Sequence, residues 1–155
     1  SEFIWMINDV LQLMLKSDMH RDWYIRDLER LVLPAIEAKR MTVVYEDKIT
    51  CKTQIFPRPT GLFSHTFLTS EAETGYALGT RKLQPEDWFT GPEDGTLYMI
   101  DLIAPYNNVL KICRFAQDEL TGRYFEVNKA NFVRQMNGRK KGSVPGKLEG
   151  RHSYV

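Results

Sequence analysis

With 155 residues, 43% of them hydrophobic and 12% aromatic, the chain has material for one sizeable core and is short for two. Its 21 basic and 20 acidic side chains leave a net charge of +1, which excludes a global field drawing it to nucleic acid or a membrane surface. Cys51 and Cys113 show no CxxC spacing and no clustered histidine, and no secretory leader is expected ahead of them. Neither a disulfide framework nor a metal site is therefore expected, and the expected compartment is a reducing cytoplasm.

From Phe3 to Lys16, apolar residues Phe3, Met6, Ile7, Val10, Leu11 and Met14 recur at helical spacing, and Ile4, Trp5, Leu13 and Leu15 widen the same face. This run is interrupted by Asn8 and Asp9 and falls short of the roughly 20 residues a membrane span needs, so it reads as a core helix. Ser17 and Asp18 are good caps for a second helix that carries Trp23, Leu28, Leu31 and Val32 inward. Pro34 then kinks that helix or sits in the first turn of a new one.

Beyond Arg40 the period changes. MTVVY and KITCKTQIF predict a hairpin turning at Glu46-Asp47, and GLFSHTFL a third strand after Pro57 and Pro59. A short helix over 70–78 and a loop containing Pro85 follow. LYMIDLIAPY, short and closed by Pro105, predicts a central strand with Asp101 among apolar neighbours. NNVLKICRFAQDEL predicts a helix capped by Asn107 or Asn108, and RYFEVN and NFVRQM two last strands. Residues 1–137 are thus one domain of α/β or α+β class, a sheet covered by helices, and 138–155 a basic, extended tail.

Two polar residues stand out by position. His20, in SDMHRDW, lies at a helix joint where backbone amides are free and an imidazole can exchange protons near neutrality. Asp101 is a carboxylate in an apolar strand, which is costly without a partner. A His20–Asp101 contact would explain both. The alternatives are a cap or surface role for His20 and a structural ion pair of Asp101 with Arg21 or Arg114. Ser17 reads as a cap before a nucleophile, because S-x-x-H lacks the strained elbow of serine enzymes. His65 reads as a strand residue with one wet face, and His152 lies in the tail. Arg139, Lys140, Lys141, Lys147 and Arg151 make that tail basic, but it lacks the interleaved aromatics that stack bases, so no nucleic-acid partner is expected.

SDMHRDW, LVLPAIEAKR, Glu86 to Trp88 as EDW, and MIDLIAPY, in this order over most of the chain, resemble the RTX-toxin-activating lysine acyltransferases. That family's patterns are S-P-L-H-R-x-W, N-V-L-P-A-I and I-D-x-I-A-P-[FY]-G. Here Asp18 and Met19 replace Pro-Leu, Leu31 replaces asparagine, Leu102 an aromatic and Asn107 the glycine. The resemblance implies a fold similar to the N-acetyltransferase (GNAT) superfamily, with a mixed central sheet flanked by helices, and a homodimer. It also implies transfer of a fatty acyl group from acyl carrier protein (ACP) to lysine side chains of a target such as an RTX protoxin. No bound cofactor is implied, acyl-ACP being the donor co-substrate. Residue by residue, the catalytic histidine falls on His20, the essential aspartate on Asp101, and the serine and arginine that position substrate or donor on Ser17 and Arg21.

The chemistry suits those types. A lysine amine, with a pKa of about 10.4, attacks only after a base takes its proton. His20 could be that base, with Asp101 orienting it, or could attack the thioester and carry the acyl group itself. A second reading is a catalytically silent binding or structural protein on the same fold, of the kind a phage carries. A coenzyme A dependent N-acetyltransferase is disfavoured because no glycine-rich pyrophosphate loop is recognisable.

Overall fold

The computed structural model describes residues 2–50, 54–124, 126–127, 129–134 and 146–147. In chain order the elements are α1 (Glu2–Leu15), α2 (Ile25–Leu31), α3 (Leu33–Glu37), β1 (Met41–Thr50), β2 (Gln54–Leu68) and α4 (Ser70–Leu78). A 3-10 turn (Pro85–Phe89), β3 (Thr96–Ile103), α5 (Val109–Arg123), β4 (Asn131–Arg134) and the two-residue β5 (Gly146–Lys147) complete them. The strands lie in the order β1-β2-β3-β4-β5, antiparallel except for the parallel β3–β4 pair. This is the expected α+β mixed sheet with helices on both faces.

One face of the sheet is covered by α1, α3, α4 and the 3-10 turn. Val10, Leu13 and Met14 of α1 pack there with Ala35, Ile36, Trp88 and the sheet residues Leu62, Leu68, Tyr98 and Ile103. On the other face, Ile112, Ala116 and Leu120 of α5 meet Val44, Phe63, Phe67, Leu97 and Met99. Alternation along β2 follows from this. Leu62 and Leu68 serve the first core, Phe63 and Phe67 the second, as a strand buried on both sides requires.

Several expectations change. The buried stripe of α1 is narrower than its apolar content: Val10, Leu13 and Met14 are buried, whereas Ile4, Trp5 and Leu15 are exposed. The second helix does not begin at Ser17. The Ser17 carbonyl accepts from His20 N at 3.1 Å and Arg21 N at 2.9 Å, closing one turn that is not propagated. The helix restarts at Ile25, where the Asp27 carboxylate accepts from Tyr24 N at 2.8 Å and satisfies a free terminal amide. Pro34 lies in the first turn of the separate α3, where its missing N–H costs nothing.

The hairpin turn is not at Glu46-Asp47. Both lie inside β1, which runs to Thr50 opposite Gln54, with residues 51–53 of the tip outside the described residues. β2 is one 15-residue strand rather than two. Pro57 and Pro59 are tolerated because β3 joins β2 only from Leu62 onward, so among the described residues the proline stretch has one neighbouring strand. α4 covers the expected 70–78, capped by the Thr69 hydroxyl accepting from Ala72 N at 3.3 Å and ended by Gly79 at φ 74°. Asn108 precedes α5 but does not cap it. Its side chain instead accepts from Tyr106 N and donates to the Thr60 carbonyl at 2.9 Å, tying the loop to β2.

No strand forms over RYFEVN among its described residues. Tyr124 ends α5, with its N–H on the Leu120 carbonyl, and Val127 N closes a turn onto Tyr124 O. Within the segment read as a tail, Gly146 and Lys147 pair with Arg134 and Val133. Its other residues lie outside the described ones. Among the described residues no helix is long and apolar enough to cross a membrane.

Candidate active site

His20, Asp101 and Ser17 meet, although 81 residues separate the first two. The turn after α1 holds His20 in place: its N–H is bonded to Ser17 O, its carbonyl accepts from Trp23 N at 3.1 Å, and its ring lies 4.7 Å from the Trp23 ring. Only 6% of the residue is exposed. His20 Nε2 lies 2.9 Å from Asp101 Oδ1, and His20 Nδ1 lies 2.6 Å from Ser17 Oγ.

These contacts assign the proton positions. A carboxylate only accepts, so the nitrogen facing Asp101 carries the hydrogen. The lone pair is then on Nδ1, and the Ser17 hydroxyl donates to it. Ser17, Nδ1, Nε2 and Asp101 thus form one directed string whose proton-accepting end is Nδ1. Ser17 is therefore not a helix cap. Asp101 is paired with neither Arg21 nor Arg114; its partners are His20 and Ser64, whose hydroxyl accepts from Asp101 N at 3.0 Å and approaches Oδ2 at 3.4 Å.

Arg21 is not brought into this cluster. Its guanidinium pairs with Asp18 at 3.3 Å on the surface, an arrangement of little energetic weight, and it lines neither cavity beside the histidine.

Two adjoining cavities, of about 290 and 250 Å³, open beside the string. Both are walled by Trp23, Leu31, Tyr76, Ile100 and Val133, with Arg30 and Asp101 as their shared charged groups. His20 and Met19 line the smaller one; Arg81, Lys82 and Leu83 extend the larger. They lie where β3 and β4 part, since the parallel ladder comprises Tyr98↔Asn131 and Met99↔Phe132, just before Ile100 and Val133. Burial first, and the Asp101 carboxylate second, push the Tyr76 phenol above its ordinary range, so Tyr76 offers a neutral hydroxyl to this wall.

The EDW segment has a structural task. Trp88 is fully buried and its indole N–H donates to Arg30 O at 3.1 Å, while Asp87 accepts both Arg81 Nη1 and Nη2 at 2.7 and 3.1 Å. His65 has no wet face. It is fully buried, Nε2 lies 2.9 Å from Tyr124 Oη, and Nδ1 has no hydrogen-bond partner. Burial, then the Arg123 and Arg40 charges, lower its pKa to about 3.

Ser64, Tyr76, Trp23 and Arg30 were missed as site residues from the sequence. Tyr76 sits in a helix of ordinary composition, and Ser64 is one small residue of an apolar strand. Neither carries a local signal. Among the described residues no group of His, Cys, Asp and Glu is arranged to hold a metal ion. Cys51 lies outside the described residues.

Fold and site together describe an α+β protein with a buried serine–histidine–carboxylate string beside a cavity of mixed apolar and charged lining. The chain belongs to the RTX toxin acyltransferase family, HlyC, whose sequence model matches residues 2–144. It is 29% identical over 103 residues to the RTX-II toxin-activating lysine-acyltransferase ApxIIC of Actinobacillus pleuropneumoniae, a match covering 66% of this chain and 57% of that protein. It is 26% identical over 103 residues to the lysine-acyltransferase RtxC of Vibrio cholerae serotype O1, covering 66% and 60%. With the RTX-I toxin-activating lysine-acyltransferase ApxIC of Actinobacillus pleuropneumoniae it shares 25% over 122 residues, covering 79% and 64%. The chain thus spans 57% to 64% of the length of these relatives.

Proposed function

We propose that this protein is a lysine acyltransferase that moves a fatty acyl group from an acyl-ACP thioester to a lysine of a target protein, an RTX protoxin being the target class its relatives' names point to. The observation that carries this reading is the Ser17–His20–Asp101 string facing the cavity shared by Trp23, Leu31, Tyr76, Ile100 and Val133.

The reaction requires one bond to form and one to break. The lysine Nζ attacks the thioester carbonyl carbon, the C–N bond forms, and the C–S bond breaks to release the ACP thiol. His20 Nδ1 takes the amine proton and returns it to the departing sulfur. Asp101, on Nε2, fixes the ring orientation and stabilises the imidazolium while that proton is in transit. Because the Ser17 hydroxyl occupies the proton-accepting end of the ring, the amine proton reaches Nδ1 through it, Oγ accepting from the amine as its own hydrogen passes to Nδ1. The general-base route is favoured over attack by His20 because the ring is already held at both nitrogens, a geometry that suits proton transfer without ring movement.

Apolar walls suit an acyl chain, and Leu31, in place of the family's asparagine, adds to them. The GNAT-like comparison is supported by antiparallel strands leading into a parallel pair that parts at the cavity. A cytoplasmic, homodimeric enzyme that binds ACP through basic residues completes the reading.

The test is incubation of the purified protein with myristoyl-ACP and the RTX-II protoxin, followed by intact mass and thiol release. The expected result is an amide-linked acyl mass on a lysine, lost in His20→Ala. Transfer by His20→Ala at the wild-type rate would sink the role of His20. No transfer, and no rise in melting temperature with acyl-ACP, would favour the catalytically silent alternative.

A further inference from the structure

Strict alternation along β3 would turn Asp101 away from His20. Leu97 and Met99 belong to the core under α5, and Tyr98 and Ile100 to the opposite face. Residue 101 should therefore point toward α5. Instead Leu102 packs on the α5 side, Ile103 lies in the opposite core, and Asp101 lines the His20 cavity together with its neighbour Ile100.

The register explains this. Phe63 is opposite Leu102, but His65 is opposite Met99, so Ile100 and Asp101 together face the single residue Ser64. That is a β-bulge, which inserts one residue and re-aims a side chain. Both consecutive side chains then lie on the cavity face, and the ladder loses its regular partner for an amide there. Ser64 meets that need: its hydroxyl accepts from Asp101 N at 3.0 Å and turns toward Asp101 Oδ2 at 3.4 Å. Ser64 itself is fully buried, so water does not replace it readily.

We infer that Ser64 is a positioning residue, holding the Ile100–Asp101 bulge so that the Asp101 carboxylate is aimed at His20 Nε2. Ser64 touches no substrate in this scheme; it acts through Asp101. The inference rests on the reading of His20 and Asp101 as the acid-base pair only for its kinetic consequence. Its geometric consequence, loss of the His20–Asp101 bond, is independent of any activity.

The experiment uses protein labelled with 15N at histidine, in wild-type, Ser64→Ala and Asp101→Ala forms. The readouts are the His20 Nε2–H resonance and steady-state kinetics with myristoyl-ACP. Bonded to a carboxylate in a buried site, that proton is expected downfield and slow to exchange in the wild type and absent or upfield in Asp101→Ala. Ser64→Ala is expected to resemble Asp101→Ala, with kcat about 10 to 100-fold lower, as a misplacement near 1 Å produces, and an unchanged KM for the donor. Should Ser64→Ala fail to fold, Ser64→Cys, whose thiol is a weaker acceptor, is expected to move the resonance part of the way toward that of Asp101→Ala. A folded variant that retains the wild-type resonance overturns the inference, whether or not the wild type transfers acyl groups. A wild type that shows the resonance and transfers nothing overturns the proposed function and leaves the positioning role of Ser64 to the spectrum alone.

Discussion

His20 and His65 show how burial with and without a carboxylate partner sends one residue type to different ends. His20 is held between a hydroxyl and a carboxylate and faces a cavity; His65 is sealed beneath α5 with one ring nitrogen unbonded. His20→Ala should lower kcat per folded molecule by about 100-fold or more, in line with the worth of a positioned general base, and should lower the melting temperature because Asp101 loses its partner. His65 belongs to stability. Its pKa of about 3 in the folded state lies below the ordinary value, so the unfolded chain binds a proton first as pH falls. Stability is therefore full above about pH 6.5 and is lost as pH falls toward 3, by up to about 1.4 kcal/mol per pH unit. Urea titrations at pH 7 and pH 5 should show this fall, and His65→Phe should flatten it; an identical slope in the variant would remove His65 as the cause.

Elements place these residues and carry most of the stability. α5 seals one face of the sheet through Ile112, Ala116 and Leu120, all fully buried and away from the His20 cavity. Leu120→Ala should cost about 2–5 kcal/mol by denaturant unfolding and leave kcat per folded molecule unchanged. A matching loss of kcat would mean that the two faces of the sheet are coupled. On the other face, the Thr69 cap of α4 is expected to be worth about 1 kcal/mol, read from Thr69→Ala. α4 also supplies Tyr76 to the cavity wall, so fraying of its first turn should raise the donor KM before it lowers kcat.

For the molecule as a whole, the donor should behave as a ligand of the native state. Myristoyl-ACP at 100 times its Kd should add about 2.7 kcal/mol of stability, seen as a higher melting temperature, while ACP without an acyl chain should add less. Equal shifts would place the recognition on ACP and away from the cavity lined by Leu31 and Ile100.

The α+β class, the α4 range, the strand status of LYMIDLI and the pairing of His20 with Asp101 were legible in the sequence. Helical and strand periods, caps and the cost of an unpaired carboxylate are local or single-residue effects. The resemblance carried by SDMHRDW and MIDLIAPY added roles to two residues already conspicuous by position. Tertiary structure alone decided the remainder. Which apolar residues of α1 are buried depends on the surface it meets, and Pro57 and Pro59 sit within a strand because, among the described residues, no third strand reaches them. Asp101 faces His20 because two residues of β3 share one partner on β2, a count that appears only when the strands are laid side by side. Periodicity along one strand determines that a side chain alternates; the neighbouring strand determines where the alternation slips.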